Sequence, residues 1–239
     1  MPLVYLRCLG ALLLPICLMA QTAPPAAETP AVKTAGQGAD VETGKRIFGV
    51  LPNYKTVEKM GVYEPIPASE KFKIAAKDSF DWPEFLVAGA ITGLNQMTGQ
   101  TPEWGQGLKG YGKRYAASLA DQTIGNFLTE AILPSVLHHD PRYFRLGPGH
   151  SAPHRLAYAL SWVVVGKTDS GHATLNISEL AGSGASAALG WYYYPRQERQ
   201  FGPVRDRFVT QVSFDAASSM LKEYWPDIHE KLLRRRHHN

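Results

Sequence analysis

Beyond its first twenty residues this 239-residue chain has no cysteine, because both of its cysteines are Cys8 and Cys17. A chain that loses that segment has no disulfide, no thiolate metal site and no cysteine nucleophile, so packing alone must hold it together. Also missing is any apolar run of the ~18 to 20 residues that a membrane-spanning helix needs. No stretch alternates apolar and polar residues for long enough to suggest a sheet, and nothing repeats at a fixed spacing. Charge is modest: 25 Lys and Arg stand against 21 Asp and Glu, for a net charge of +4 and a pI of about 9.0. The basic residues form no stripe, which argues against a nucleic-acid partner. Their excess suits contact with anionic lipid or with phosphate.

The two ends are set apart by composition. In 1–20, Arg7 precedes the apolar run Cys8 to Met19, the layout of a secretory signal peptide cleaved near Ala20. Lipidation at Cys17 is the alternative, although Ile16 is bulky where a lipoprotein box wants a small residue. Residues 21–44 are rich in Pro, Ala, Thr and Gly and read as a disordered linker. Residues 45–68 read as an extended segment wrapped on the domain surface, 69–228 as one helical domain and 229–239 as a basic tail. The location expected from this layout is outside the cytoplasm: periplasm, cell envelope or medium.

Within the domain the periodicity predicts an all-α bundle with helices near 69–78, 84–98, 113–137, 152–165, 172–191 and 204–224. Ile124, Phe127, Leu128, Ala131 and Ile132 share one helix face, and Pro134 should kink or end that helix. Ser69 and Ser151 are expected caps, and Trp225-Pro226 is an expected stop. Gly89 and Gly93, and Gly182, Ser186 and Gly190, fall four apart, a spacing that lets helices approach closely.

Several polar clusters have plain structural readings. His138 and His139 point about 100° apart on a helix and so share no metal easily; with Asp140 they read as a solvated helix end. His150 and His154 read as surface histidines flanking a helix start. Asp169 to His172 reads as the N-cap turn of the next helix. Arg142 and Arg145 can pair with Asp140 or Glu130, and Asp215 with a basic residue of a neighbouring helix. Tyr192 to Tyr194 read as a helix-end belt, and Arg234 to Arg236 as a solvated tail. No metal ligand set and no cofactor motif stand out.

Another reading gathers Arg142, the Ser170-Gly171-His172 turn, Arg205, Gln211 and Asp215. Arginine forks and helix N-termini are the parts of a phosphate site, and a histidine nearby can protonate a leaving oxygen. Here the chain resembles the superfamily of type 2 phosphatidic acid phosphatases and vanadium haloperoxidases. Its signature is Lys, six residues, Arg-Pro; then Pro-Ser-Gly-His; then Ser-Arg, five residues, His, three residues, Asp. This chain has Ser135 for the lysine, then Arg142 and Tyr143; then Asp169-Ser170-Gly171-His172; then Val204-Arg205, Gln211 and Asp215. The resemblance implies that Arg142, Ser170, Gly171 and Arg205 hold phosphate, that His172 is the general acid and that Asp215 orients its neighbour. Gln211 replaces the family's nucleophilic histidine, and glutamine cannot attack phosphorus.

The expectation is therefore an exported envelope protein with a degenerate phosphatase-like bundle. It would bind a phosphate-containing small molecule or an anionic lipid headgroup, without efficient turnover and with contact at the membrane surface. The alternatives are an active phosphomonoesterase or lipid phosphatase, and a structural or partner-binding envelope module; the sequence leaves enzymatic activity and oligomeric state open. The chain also resembles a family of exported bacterial proteins through Gly110-Tyr111-Gly112-Lys113-Arg114-Tyr115, Asp140 to Phe144, Thr168 to Gly171 and Trp225 to Ile228, a likeness that transfers no site.

Overall fold

Asp81 makes the first corner. Its side chain accepts a hydrogen bond from the Trp82 amide at 3.0 Å, and Pro83 sits in the turn that follows. Helix α1 (Ala68–Phe80) therefore stops and α2 (Trp82–Met97) starts one residue later. The computed structural model describes residues 55–57 and 63–236, with side chains through Lys231. All of these fall in the compact unit Gln37–Asn239. The expected signal peptide and linker lie outside the described residues.

After a loop held by Arg114 comes the central helix α3. It runs through Gly107–Asn126, a wider π turn at Phe127–Ile132, and Leu133–Leu137. Helices α4 (Ala152–Ser161), α5 (Ile177–Leu189) and α6 (Phe201–Arg236) complete a mostly helical bundle, the all-α class expected. Arg114 explains why α3 begins before the glycine-rich segment ends. Its guanidinium donates to the carbonyls of Gln100, Thr101 and Gly105 at 2.7–2.9 Å and pins the loop onto the helix.

Among the described residues, five short strands supplement the helices. Strand β1 (Thr56–Val57) pairs in parallel with β3 (Tyr143–Phe144). Strand β4 (Val165–Thr168) lies between β2 (His139–Asp140) and β5 (Ala173–Leu175), antiparallel to both.

Several expectations are corrected here. Of the segment 45–68 only 55–57 and 63–68 are described, and there Thr56 and Val57 are buried in a strand pair. Neither Ser69 nor Ser151 supplies a capping side chain. The Asp169–His172 turn joins β4 to β5 rather than opening a helix, with Gly171 at φ +83°. Helix α5 starts only at Ile177, where Asn176 accepts from the Glu179 amide at 3.3 Å. The stretch 162–165 leaves α4 and enters β4.

The two prolines act differently from expectation. Pro134 follows the π turn, where regular α geometry is interrupted, and the helix then continues to Leu137. Pro226 lies inside α6, which continues to Arg236. Nearby, the Glu223 carbonyl, one residue past the one that Pro226 deprives of its donor, accepts from Arg145 and Arg155 at 2.9 and 2.7 Å.

The packing is inverted relative to an ordinary water-soluble bundle. Buried positions are mostly small or polar, among them Ala75, Ala88, Ala131, Thr92, Ser183 and Glu223, whereas Phe80, Leu86, Leu94, Met97 and Phe214 are exposed. Small residues let helices touch. A Cβ at Gly182 would lie 2.7 Å from Thr129 Cγ2 and 3.2 Å from the Leu128 carbonyl carbon, so α5 rests against the π turn itself. Gly93, expected to make a similar contact, has nothing within 4 Å of its Cβ direction. Gly182→Val is therefore expected to cost at least about 1–3 kcal/mol, while Gly93→Leu leaves the denaturation midpoint nearly unchanged; urea titration of both variants measures the difference.

Candidate functional site

The π turn has a second effect, on the interior. One extra residue per turn changes the phase of α3 and leaves Thr129, Glu130 and Ala131 buried. Glu130 then lines an internal cavity of about 40 Å³ with Lys55 just before β1, His139 and Asp140 from β2, Ser178 and Glu179 from α5, and Asp215 and Lys222 from α6. That is room for about three waters, at roughly 10–15 Å³ of water-centre space each.

Lys55 is the hub of the charges. Its ammonium contacts Glu130 Oε1 directly and lies 3.7 Å from Asp78 on α1. Glu179 accepts from the Ser183 hydroxyl at 3.2 Å, and Asp215 from the Gln211 amide at 3.3 Å. Glu130, only 4% exposed, keeps its second oxygen Oε2 buried with no N–H or hydroxyl donor, and the Asp78 carboxyl hydrogen-bonds Glu130 when protonated. Such an atom is costly unless something charged or polar meets it.

Acids outnumber bases in this interior, and the titration behaviour follows. Burial, then the charge of Glu130, pushes Asp78 up to about 7 against the opposing pull of Lys55. Burial, then the charge of Asp215, holds Glu179 well above the usual carboxylate range. Glu84 is likewise pushed up to about 7, first by burial and then by Asp78. Lys222 falls to about 8 through burial and the nearby charge of Lys55. For Lys55 itself burial works downward, but Glu130, Asp78 and Asp215 outweigh it and raise its pKa. Four carboxyls surround two lysines, so the cluster approaches neutrality by keeping protons on acids.

The cavity rim carries one more pairing. Ser178 Oγ and His139 Nδ1 are 2.9 Å apart, and both residues are buried. Burial, together with Lys71, depresses the His139 pKa against the pull of Asp169, which favours the neutral ring. The expected solvated helix end at His138–Asp140 is therefore corrected. His138 alone is exposed, at the left-handed φ of 55° that ends α3, while His139 and Asp140 turn inward as β2.

The residues expected to clamp phosphate are dispersed. Arg142 is 5% exposed, and its guanidinium is fully engaged. Nε meets Asp140 Oδ1 at 3.0 Å, while Nη2 meets Asp140 Oδ2 at 2.6 Å and the Glu64 carbonyl at 2.7 Å. Ser170 Oγ and His172 Nδ1 bond each other at 2.9 Å on an exposed turn. That turn lies near Arg142 through Tyr63, whose ring abuts Gly171 and whose hydroxyl donates to Asp140 at 2.5 Å.

Arg205 is exposed and pairs with its neighbour Asp206 at 2.8 Å. It precedes Glu223 by eighteen positions on α6, about 27 Å of helix, and Glu223 is the residue that meets Tyr143 beside Arg142. Gln211 and Asp215 turn to the interior, where Gln211 packs on Gly125. Ser135, at the place of the phosphatase lysine, is a buried hydroxyl without a partner. The structure thus brings Arg142 and the 170–172 turn together at one end of the bundle and leaves Arg205 at the other.

Arg145 pairs with Asp227 at 2.5 Å rather than with Glu130. Tyr193 and Tyr194 both donate to Asp121, so the tyrosine run is an anchor as well as a belt. Sequence reading missed Lys55, Asp78, Glu130, Glu179 and Lys222 as a group. The available hint was a single acid inside each of three small or apolar runs: Phe127 to Ile132, Ile177 to Ala181, and Ser213 to Ala217. Among the described residues no cluster of histidine, aspartate and glutamate is arranged to hold a metal ion. Compared with protein-family models, curated proteins and solved structures, the chain matches none.

Proposed function

We propose that this chain is an exported envelope protein whose charged interior binds a small cation, in particular a primary ammonium group, in exchange for a proton. The observation that carries the reading is a cavity lined by Glu130, Glu179 and Asp215, with Glu130 Oε2 buried and met by no N–H or hydroxyl donor. The acid surplus around it favours a cation over the phosphate suggested by the sequence motif. A bound ammonium offers three donors and would replace a proton held on Asp78 or Glu179. The cavity volume limits the occupant to a group of very few heavy atoms, or to the ammonium end of a longer molecule.

Calorimetric titration with methylammonium, in two buffers of different ionisation heat, tests this. Binding with proton release is expected, lost in Glu130→Gln and absent for tetramethylammonium, which has no donor. No heat with methylammonium would reject the reading, and saturable binding of inorganic phosphate would restore the anion site.

A second reading rests on the Ser178–His139 contact. A hydroxyl held by a neutral imidazole at the start of α5 has the parts of an activated nucleophile, with backbone N–H groups nearby to hold an oxyanion. Labelling by a fluorophosphonate probe, abolished in Ser178→Ala, would support hydrolase chemistry.

A further inference from the structure

Helix α2 wears its apolar side outward. Trp82, Phe85, Leu86, Leu94 and Met97 are 39–84% exposed and follow one another along a single stripe, with Ala90 exposed between them. The only charged residue of the helix, Glu84, feels Asp78, Lys55 and Lys222 and belongs to the interior cluster. The adjoining face is occupied: Ala88 and Thr92 are buried, and Tyr111 and Tyr115 of α3 donate to the carbonyls of Gly89 and Phe85 at 3.0 and 3.2 Å. Phe80 extends the stripe at one end, and Leu108, 88% exposed, stands near the other.

We infer that this stripe docks on an anionic lipid surface, with α2 lying in the plane of the headgroups. Its composition and the charge around it select lipid. The helices packed on α2 carry exposed lysines, Lys77 and Lys73 (the latter paired with Glu70 at 3.0 Å) on α1 and Lys109 and Lys113 on α3, and the stripe has no acid of its own. Cations bordering an apolar face are what anionic headgroups over acyl chains attract. Aromatic residues gather at one end, Phe80, Trp82 and Phe85, and such rings settle at the headgroup level. The stripe spans about 22 Å of helix, too short to cross a bilayer, and no helix among the described residues is long and apolar enough to do so. Lying flat is the geometry left. The stripe is also convex and one helix wide, and Gly93 opens directly onto space, so it offers no groove for a peptide.

The test uses the full chain and a readout on the stripe itself, because the apolar run near residue 10 could also touch membrane. Trp82→Phe removes the Trp82 component from the fluorescence, and the difference spectrum isolates it. With vesicles of phosphatidylglycerol and phosphatidylethanolamine, that component is expected to shift to the blue and to lose at least half its intensity when the lipids carry bromine. Leu86→Glu with Leu94→Glu should abolish the quenching while circular dichroism stays unchanged, and added salt should weaken it. A Trp82 component that brominated lipid does not quench would overturn the inference. So would a Leu86→Glu, Leu94→Glu chain that turns from dimer to monomer, since the stripe would then be a contact between two copies. The outcome is independent of methylammonium binding, because neither leucine lines the cavity.

Discussion

Glu223→Ala is expected to cost about 3–5 kcal/mol, the range for breaking one side of a buried ion pair. Glu223 is fully enclosed and accepts four hydrogen bonds. Oε2 takes the Tyr143 hydroxyl at 2.9 Å and the Leu146 amide at 3.0 Å; Oε1 takes the Gly147 amide at 3.0 Å and Arg155 Nε at 2.7 Å. Those donors come from β3, the loop after it and α4, so one carboxylate fastens three segments to α6. Its loss would leave Arg155 buried with only Asp227, 2.6 Å away, as an ion partner. Asp227→Ala should cost less, because Asp227 is 20% exposed and water can replace part of it. Urea denaturation of both variants, with Tyr143→Phe as a milder third, gives the order. Equal losses for Glu223→Ala and Tyr143→Phe would mean that the carboxylate contributes no more than one neutral hydrogen bond.

The second large effect is on pH. Asp78 titrates near 7 in the folded chain, well above its ordinary 3.8. Between those values the folded state holds a proton that the unfolded state has released, so stability falls as pH rises from about 4 to about 7. Glu84 acts in the same sense over its own window, up to about 7. Lys222, lowered to about 8 from 10.5, has the opposite dependence and regains stability only as pH climbs from 8 past 10.5. His139, depressed by burial, loses stability as pH falls below 6.5 and so partly masks the acids.

The informative quantity is therefore the difference between the parent chain and Asp78→Asn, in which His139 cancels. The variant is expected to gain on the order of a few kcal/mol relative to the parent at pH 8 and nothing at pH 4. Lys55 keeps Glu130 in both. A difference that does not change with pH would show that Asp78 is ionised throughout.

Much of the helical layout was legible because apolar period and small-residue spacing are local properties of the chain. Five of the six expected helices overlap the observed ones with shifts of a few residues at their ends. The errors concentrate where a distant residue overrides a local rule. Pro226 reads as a stop, yet arginines 68 and 78 positions earlier in the chain satisfy the neighbouring Glu223 carbonyl. Asp169 and Ser170 read as caps, yet Lys71 takes Asp169 at 2.7 Å and the turn serves a strand pair instead. Gly93 and Gly182 look alike in sequence, and only the packing of α5 on the π turn separates them.

The charged cavity was hidden for a similar reason. Lys55, Asp78, Glu130, Glu179, Asp215 and Lys222 come from five separate elements, and no spacing rule links them. Arg142 was legible as an important arginine, but not as one already saturated by Asp140, a contact only two positions away.

Thr56–Val57 has a consequence for the order in which the molecule can be made. This two-residue strand holds Lys55 against Glu130, 75 positions later in the chain. Translation delivers the lysine early and its carboxylates late, with Asp215 and Lys222 near the C-terminal end. Contacts of such sequence separation form slowly, because the intervening chain must first be confined. The charged interior around Lys55 therefore has all its members only once α6 is present. A chain released short of residue 215 would lack Asp215, one of the four acids around Lys55, together with Lys222.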